Sequence, residues 1–98
     1  MRNQLLVILA ILAIVFACGR KTDTADGKAI YKRACIVCHG VRGDMGASGA
    51  FNLTTSELTL EERINVITNG RNAMAAYKKI LKEEEIAAVA EYTLTLKK

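Results

Sequence analysis

Two cysteines and a histidine stand together near the middle of the chain, in the segment Cys35-Ile36-Val37-Cys38-His39. Two thiols at this spacing can form thioethers with the two vinyl groups on one edge of an iron porphyrin, and the adjacent imidazole can ligate the iron. This order of residues is the attachment pattern of c-type haem. His39 is the only histidine in the chain, so no other imidazole competes with it. The motif predicts one covalently bound haem c with its iron.

The same residues admit three other interpretations. A thioredoxin-like redox pair needs surrounding β-strands, and no segment shows the alternation that a strand requires. A structural zinc site needs a fourth ligand, and the only other cysteine, Cys18, lies seventeen residues before Cys35. A simple disulfide between Cys35 and Cys38 leaves His39 without a role. We therefore favour haem attachment through Cys35 and Cys38, with His39 as an iron ligand.

A second ligand on the opposite face of the iron is best supplied by a methionine. Met45 follows His39 by only six residues and lies on the histidine side of the porphyrin, from which the other face is hard to reach. Met74 follows by thirty-five residues, in an irregular segment after a helix end. Methionine also fills gaps in cores, but this segment has little other apolar bulk. Met74 is therefore the predicted second ligand.

The N-terminal residues are predicted to direct export. The apolar run from Leu5 to Ala17 has thirteen residues, fewer than the roughly twenty that a membrane-spanning helix needs, so residues 1–17 are predicted to be a signal peptide. The sequence around Cys18 resembles a bacterial lipobox, which predicts a lipidated Cys18 and a short tether over residues 18–25. An uncleaved apolar anchor and a plain signal peptide with a free Cys18 are the alternatives.

The composition limits the domain, predicted over residues 26–98, to a small unit. The chain has 98 residues, three Tyr, two Phe and no Trp, which is too little for a large enzyme fold and predicts that a cofactor completes the core. The formal net charge is +4, without the basic runs interleaved with aromatics that nucleic-acid binding uses. There is no second histidine, and the carboxylates cluster at helix starts, so we expect no enzyme activity from side chains alone.

Helical periodicity predicts an all-α domain with long loops. The first helix begins near Asp23 or Thr24 and ends near Cys35, and the third begins near Glu83 and ends near Leu96. The second opens with the Thr-x-x-Glu capping box at Thr59 and stops at Asn69-Gly70. Position 82, before the third helix, is a lysine, where a capping side chain is expected.

From Ala25 to Leu96 the chain resembles the small class I c-type cytochromes. The segments GKAIYKRACIVCHG and NGRNAMAAY are similar to the haem-attachment and methionine-ligand motifs of that family. The resemblance implies three main helices and long loops wrapped around one covalent haem. It also implies that the first and last helices cross, which by position sets Gly27 and Tyr31 against Val89 and Tyr92.

Two prolines that are common in that family are absent. Ala75 stands where the family usually has proline after the ligand methionine, which predicts a looser methionine loop. In the loop after the histidine the family often has a proline whose carbonyl orients the imidazole, and here the stretch is residues 47–53. A backbone carbonyl is still expected to accept the Nδ1 proton of His39.

These residues predict a one-electron carrier with a His/Met-ligated haem. Burial of the haem against five apolar side chains is expected to raise its reduction potential: Leu53, Ile64, Ile67, Leu81 and Ile86. The carrier is expected on the periplasmic side of a bacterial membrane, anchored by lipid or alternatively soluble. It would pass electrons between a redox donor and an acceptor such as an oxidase, a reductase or a photosynthetic complex, or serve as a subunit of a larger oxidoreductase. The alternative is a haem-based gas sensor or weak peroxidase with a labile Met74.

Overall fold

A computed structural model of the chain describes residues 25–98, and these form an all-α fold. Cys18, the predicted signal peptide and nearly all of the predicted tether lie outside the described residues. In chain order the helices are α1 (Gly27–Ala34), α2 (Ile36–His39), α3 (Leu60–Asn69) and α4 (Glu83–Leu94), with a 3-10 turn at Ala47–Gly49. The described part holds no strand, only one isolated bridge between Arg71 and Met74. The predicted fold class is confirmed.

The first helix begins slightly later than the sequence suggested. Asp26 is its N-cap, and the Asp26 carboxylate accepts a hydrogen bond from the backbone N–H of Ala29 at 3.2 Å. The predicted caps, Asp23 and Thr24, lie outside the described residues. All three are good capping types within four positions of each other, so local preference alone does not choose between them.

At the starts of α3 and α4, a side chain of the cap residue or of the first helical turn accepts a backbone N–H. Thr59 caps α3 as predicted, because its Oγ1 accepts the backbone N–H of Glu62 at 3.2 Å. At α4 the lysine at the cap position offers no acceptor, but Glu85 compensates. Its Oε1 accepts the backbone N–H of Lys82 at 2.9 Å. Each helix start therefore has one of the two hydrogen bonds of a capping box.

The helices α1 and α4 cross with their backbones in close contact at Gly27. A Cβ on Gly27 would overlap the carbonyl oxygen of Ala88 and lie 3.1 Å from the Cβ of Tyr92. Beside the crossing, the rings of Tyr31 and Tyr92 pack with centroids 5.2 Å apart and planes tilted by 51°. The predicted crossing is confirmed, with the carbonyl of Ala88 as the atom nearest to the glycine. Val89 lies next to it, fully buried.

The apolar core of the described residues is small. Tyr31 and Val89 are its largest fully buried side chains. Its other members come mainly from α1, α3 and α4: Ile30, Ile67, Leu81, Ile86 and Ala90. Between residues 25 and 98, none of the helices combines the length and the apolar character needed to cross a membrane.

The crossing predicts a strong penalty for any side chain at position 27. Alanine is preferred over glycine inside a helix by about 1 kcal/mol, but here the added methyl meets a backbone carbonyl that cannot rotate away. We expect Gly27→Ala to lower the free energy of unfolding by roughly 2 kcal/mol, the cost of overpacking, measured by urea unfolding followed by circular dichroism. The exposed neighbour Lys28→Ala is the control, with an expected change under about 0.5 kcal/mol. A Gly27→Ala protein as stable as the wild type would contradict a crossing this close.

Candidate haem-binding site

One cavity collects the four side chains that the sequence singled out. Cys35, Cys38 and His39 line it from α2 and the residue before it, and Met74 lines it from the loop after α3. The cavity has a volume of about 250 Å³, and apolar side chains form most of its wall. The described structure therefore brings together two thiols, an imidazole and a thioether that are spread over forty positions of the sequence.

The two thiols are presented where α1 ends and α2 begins. The N–H of Cys35 bonds the carbonyl of Tyr31 at 2.9 Å as the C-cap of α1. The N–H groups of Cys38 and His39 then bond the carbonyl of Cys35, at 3.3 and 3.0 Å. This tight turn gives both cysteines and the histidine access to one cavity, because all three lie within about one helical turn.

The chemistry of the thiols argues against the other uses of the motif. Cys35 and Cys38 are both free, so no disulfide joins them. Burial raises the pKa of the Cys35 thiol to about 11, whereas a redox-active cysteine needs a lowered pKa. Within residues 25–98, no three His, Cys, Asp or Glu side chains gather into a metal site, which leaves a zinc site without its ligands.

The imidazole of His39 is oriented by the backbone of the following loop. Its Nδ1 donates to the carbonyl of Phe51 at 3.1 Å, because a carbonyl can only accept. The other ring nitrogen, Nε2, is therefore the one available to a metal. Burial lowers the pKa of His39, and the bond to Phe51 partly opposes this. The structure thus identifies the carbonyl that the sequence could not, within the expected stretch 47–53.

The loop after His39 is tied back to α1. The hydroxyl of Tyr31 donates to the carbonyl of Gly40 at 2.5 Å, and Gly40 has a φ of +78°. The N–H of Met45 bonds the carbonyl of His39 at 2.9 Å. The Met45 side chain is 53% exposed and is not among the cavity-lining residues, which agrees with its rejection as a ligand.

The loop that carries Met74 is a closed turn. Met74 and Arg71 exchange both backbone hydrogen bonds, at 2.9 and 3.2 Å, and Asn72 between them has a φ of +54°. The turn packs against Gly70, where α3 ends. A Cβ there would lie 2.6 Å from the carbonyl oxygen of Met74. Glycine at this position lets the turn fold directly back onto the end of the helix.

The segment after Met74 is also fixed, although it lacks the expected proline. The N–H of Tyr77 bonds the carbonyl of Ile67 at 2.9 Å, and the N–H of Lys78 bonds that of Thr68 at 3.2 Å. The Tyr77 hydroxyl also donates to the carbonyl of Ala34 at 3.2 Å, beside the cysteine motif. These hydrogen bonds restrain a backbone that proline would otherwise stiffen, and the looser methionine loop expected from Ala75 stays a prediction.

The apolar wall differs from the sequence prediction. Leu53 and Ile67 line the cavity as expected, but three predicted wall residues line a separate groove beside it: Ile64, Leu81 and Ile86. The helix periodicity marked Ile64 and Ile67 as one apolar face, yet residues three positions apart differ by about 60° around a helix axis. That difference is enough to direct Ile64 toward the groove. Leu58, Val66 and Tyr77 complete the cavity wall instead.

A buried arginine supports the floor of the cavity. The Arg63 guanidinium donates to the carbonyls of Leu58 and Ser56 and to Oγ1 of Thr93, at 2.9, 3.0 and 3.0 Å. These bonds join α3 to the preceding loop and to α4. Sequence reasoning missed Arg63 because arginine is mostly exposed; its place in the capping segment of α3 was the only signal.

This arrangement defines the class of protein. A small all-α domain with a Cys-x-x-Cys-His turn facing a methionine loop across an apolar cavity is a class I c-type cytochrome, and the donor set and the apolar lining fit a haem. Residues 22–92 match the family model described as cytochrome c oxidase, cbb3-type, subunit III. The chain belongs to this family of c-type cytochrome domains.

Relatives of known name have similar lengths. The chain is 32% identical to a cytochrome c6 of Nostoc sp., over 91% of this chain and 87% of the relative. It is 35% identical to a cytochrome c-553 of Helicobacter pylori, over 93% and 97%. The solved structure of the KustC0563 c-type cytochrome superposes with a TM-score of 0.68 at 29% identity, covering 74% of this chain and 99% of that one.

Membership in the family establishes the cofactor and the general role. The chain carries covalently bound haem c with its iron, and it is an electron-transfer protein, not an enzyme. The relatives support the carrier and not the gas sensor or weak peroxidase.

Proposed function

We propose that this protein is a one-electron carrier whose haem is attached through Cys35 and Cys38 and ligated by His39 and Met74. One observation carries the proposal. All four side chains line a single apolar cavity, with the histidine at the end of α2 and the methionine in the loop after α3. Bound haem supplies a one-electron couple, and a methionine ligand places its potential higher than two histidines do.

The protein's own residues make this couple suitable for electron transfer. Phe51 orients the imidazole of His39 through its carbonyl, and the backbone turn closed by Arg71 carries Met74, which supports these two residues as the iron ligands. Leu53, Ile67 and the other apolar wall residues exclude water, which disfavours the more highly charged ferric state. A haem held by both His39 and Met74 would supply one-electron chemistry and would leave no position on the iron for small molecules.

The attachment is tested by the pyridine haemochrome spectrum of the exported protein. We expect the spectrum of a haem with two thioether links, because both thiols line the cavity. Cys35→Ala should give the spectrum of a haem with one link, and the double variant Cys35→Ala/Cys38→Ala should release its haem into acidified organic solvent. Colourless protein, or protein that contains zinc, would exclude the proposal.

The methionine ligand is tested by comparing two methionines. Met74→Leu removes the thioether that lines the cavity, so we expect loss of the methionine-to-iron charge-transfer band, a lower reduction potential and new binding of carbon monoxide. Met45→Leu is the matched control, because Met45 is exposed and outside the cavity, and it should retain the wild-type spectrum. If Met74→Leu kept the band, Met74 would not be the ligand.

We further propose that redox partners dock where the cavity opens, and that each partner presents an acidic surface to this protein. Val37 lines the cavity and is 75% exposed, which provides an apolar contact at its edge. Three exposed lysines are available to steer an acidic partner: Lys28, Lys78 and Lys79. An oxidase, a reductase or a photosynthetic complex with an acidic docking site would fit this surface.

Steering is tested by the salt dependence of electron transfer to an acidic redox partner. We expect the wild-type rate to fall as ionic strength rises, since salt screens the attraction. Lys78→Gln/Lys79→Gln should slow the reaction at low salt and flatten its salt dependence. Lys97→Gln/Lys98→Gln removes the same charge at the C-terminus and should change both much less. Equal effects of the two double variants would argue against steering by these lysines.

The carrier is proposed to act on the periplasmic side of a bacterial membrane, held there by lipid on Cys18. The support is the thirteen-residue apolar run followed by the lipobox-like Val15-Phe16-Ala17-Cys18 sequence. Several acyl chains would anchor the domain, since one chain alone binds only reversibly. We expect Cys18→Ala to move haem-loaded protein from the membrane fraction to the soluble periplasmic fraction. Wild-type protein that is already soluble would instead favour a plain signal peptide.

A further inference from the structure

The charged groups around the cavity are all of one sign. Two arginines line it, Arg63 and Arg71, and the described lining includes no aspartate or glutamate. The other titratable side chains there are the two cysteines, His39 and two tyrosines, Tyr31 and Tyr77. A guanidinium stays protonated in proteins, so the wall presents two positive charges that no carboxylate of the described lining balances.

The two arginines differ in their hydrogen bonds. Arg63 donates from all three of its guanidinium nitrogens to protein acceptors. The Nε of Arg71 is buried and has no hydrogen-bond partner. Among residues 25–98 it is the one buried side-chain nitrogen or oxygen that lacks such a partner. A buried donor without an acceptor loses its hydrogen bonds to water and gains none in return, so such an atom in a binding cavity calls for an acceptor on the ligand.

Arg71 also touches both loops that hold the proposed iron ligands. Its backbone exchanges two hydrogen bonds with Met74. Its guanidinium carbon lies 4.0 Å from the centre of the Phe51 ring, and the Phe51 carbonyl accepts the proton of His39 Nδ1. A guanidinium over an aromatic face is attracted to the ring. This contact restrains the side chain that carries the unpaired Nε–H.

We propose that Arg71 binds a carboxylate side chain of the haem through its Nε–H while its guanidinium stays stacked on Phe51. In this position Arg71 is a positioning residue. It would connect a haem carboxylate to the loop that carries Met74 and to the loop that carries Phe51. The inference rests on the proposed haem site and deepens it. Haem carries two carboxylates, which makes it the anionic ligand that a cavity lined by arginine and no acidic residue would accept.

The test compares Arg71→Gln and Arg71→Lys with Arg42→Gln, which removes an exposed guanidinium that is not among the cavity-lining residues. The pyridine haemochrome spectrum is recorded first. If every variant carries haem with two thioether links, the proposed haem site stands independently of the role of Arg71. The readouts are then the resonance Raman bending band of the haem carboxylates, which responds to their hydrogen bonding, and the reduction potential.

We expect Arg71→Gln to shift the Raman band and to lower the reduction potential, because an unpaired carboxylate favours ferric iron. Arg71→Lys should restore most of the potential but not the band, since lysine keeps the charge without a fixed Nε–H. Arg42→Gln should change neither. A Raman band in Arg71→Gln identical to that of Arg42→Gln would overturn the proposal and leave Arg71 only a contact of Phe51.

The stacking is tested by a double-mutant cycle. Phe51→Leu removes the ring but keeps the backbone carbonyl that orients His39, so it should move the band in the same direction as Arg71→Gln by a smaller amount. The double variant Arg71→Gln/Phe51→Leu should match Arg71→Gln alone, because the two residues act through one contact. Fully additive shifts would show that Phe51 does not set the position of the guanidinium.

Discussion

The backbone contact between Gly27 and the carbonyl of Ala88 fixes the direction in which α1 leaves α4. The remaining structure depends on that direction, because α1 ends at the two-cysteine turn and α4 supports the cavity floor through Thr93. A larger residue at position 27 would push the helices apart and carry the thiols away from the methionine loop. Packing at one crossing therefore sets the geometry of a site formed some distance along both helices.

Hydrogen bonds from side chains to the backbone do much of the work that a larger core would do. Tyr31 holds the loop after the histidine through Gly40, Tyr77 connects the segment after the methionine to Ala34, and Arg63 joins three segments. Few large side chains are fully buried in the described residues. A haem suits such a small core, since a large apolar ring covalently joined near the junction of α1 and α2 would complete the core between the loops.

The absence of proline shows how one structural task can be performed by different means. A proline would restrict the backbone of the methionine loop through its ring, whereas here paired hydrogen bonds between Arg71 and Met74, and further ones to the end of α3, hold it. The carbonyl that orients His39 likewise comes from Phe51 instead of a proline. The two residues that supply these backbone contacts also touch through their side chains, because the Arg71 guanidinium lies over the Phe51 ring.

What the sequence determined by itself is local in origin. The Cys35–His39 motif, the caps at Thr59 and the helix stop at Gly70 each depend on residues within about five positions, whose interactions form whatever the rest of the chain does. The methionine loop and the crossing of α1 and α4 could be anticipated because they resemble a known family. Only the tertiary structure decided that Phe51 accepts the His39 proton, that Arg63 is buried, and that Ile64 faces a groove outside the cavity. These features depend on how separate segments meet, which follows from the rotation and packing of whole helices and not from the type of any one residue.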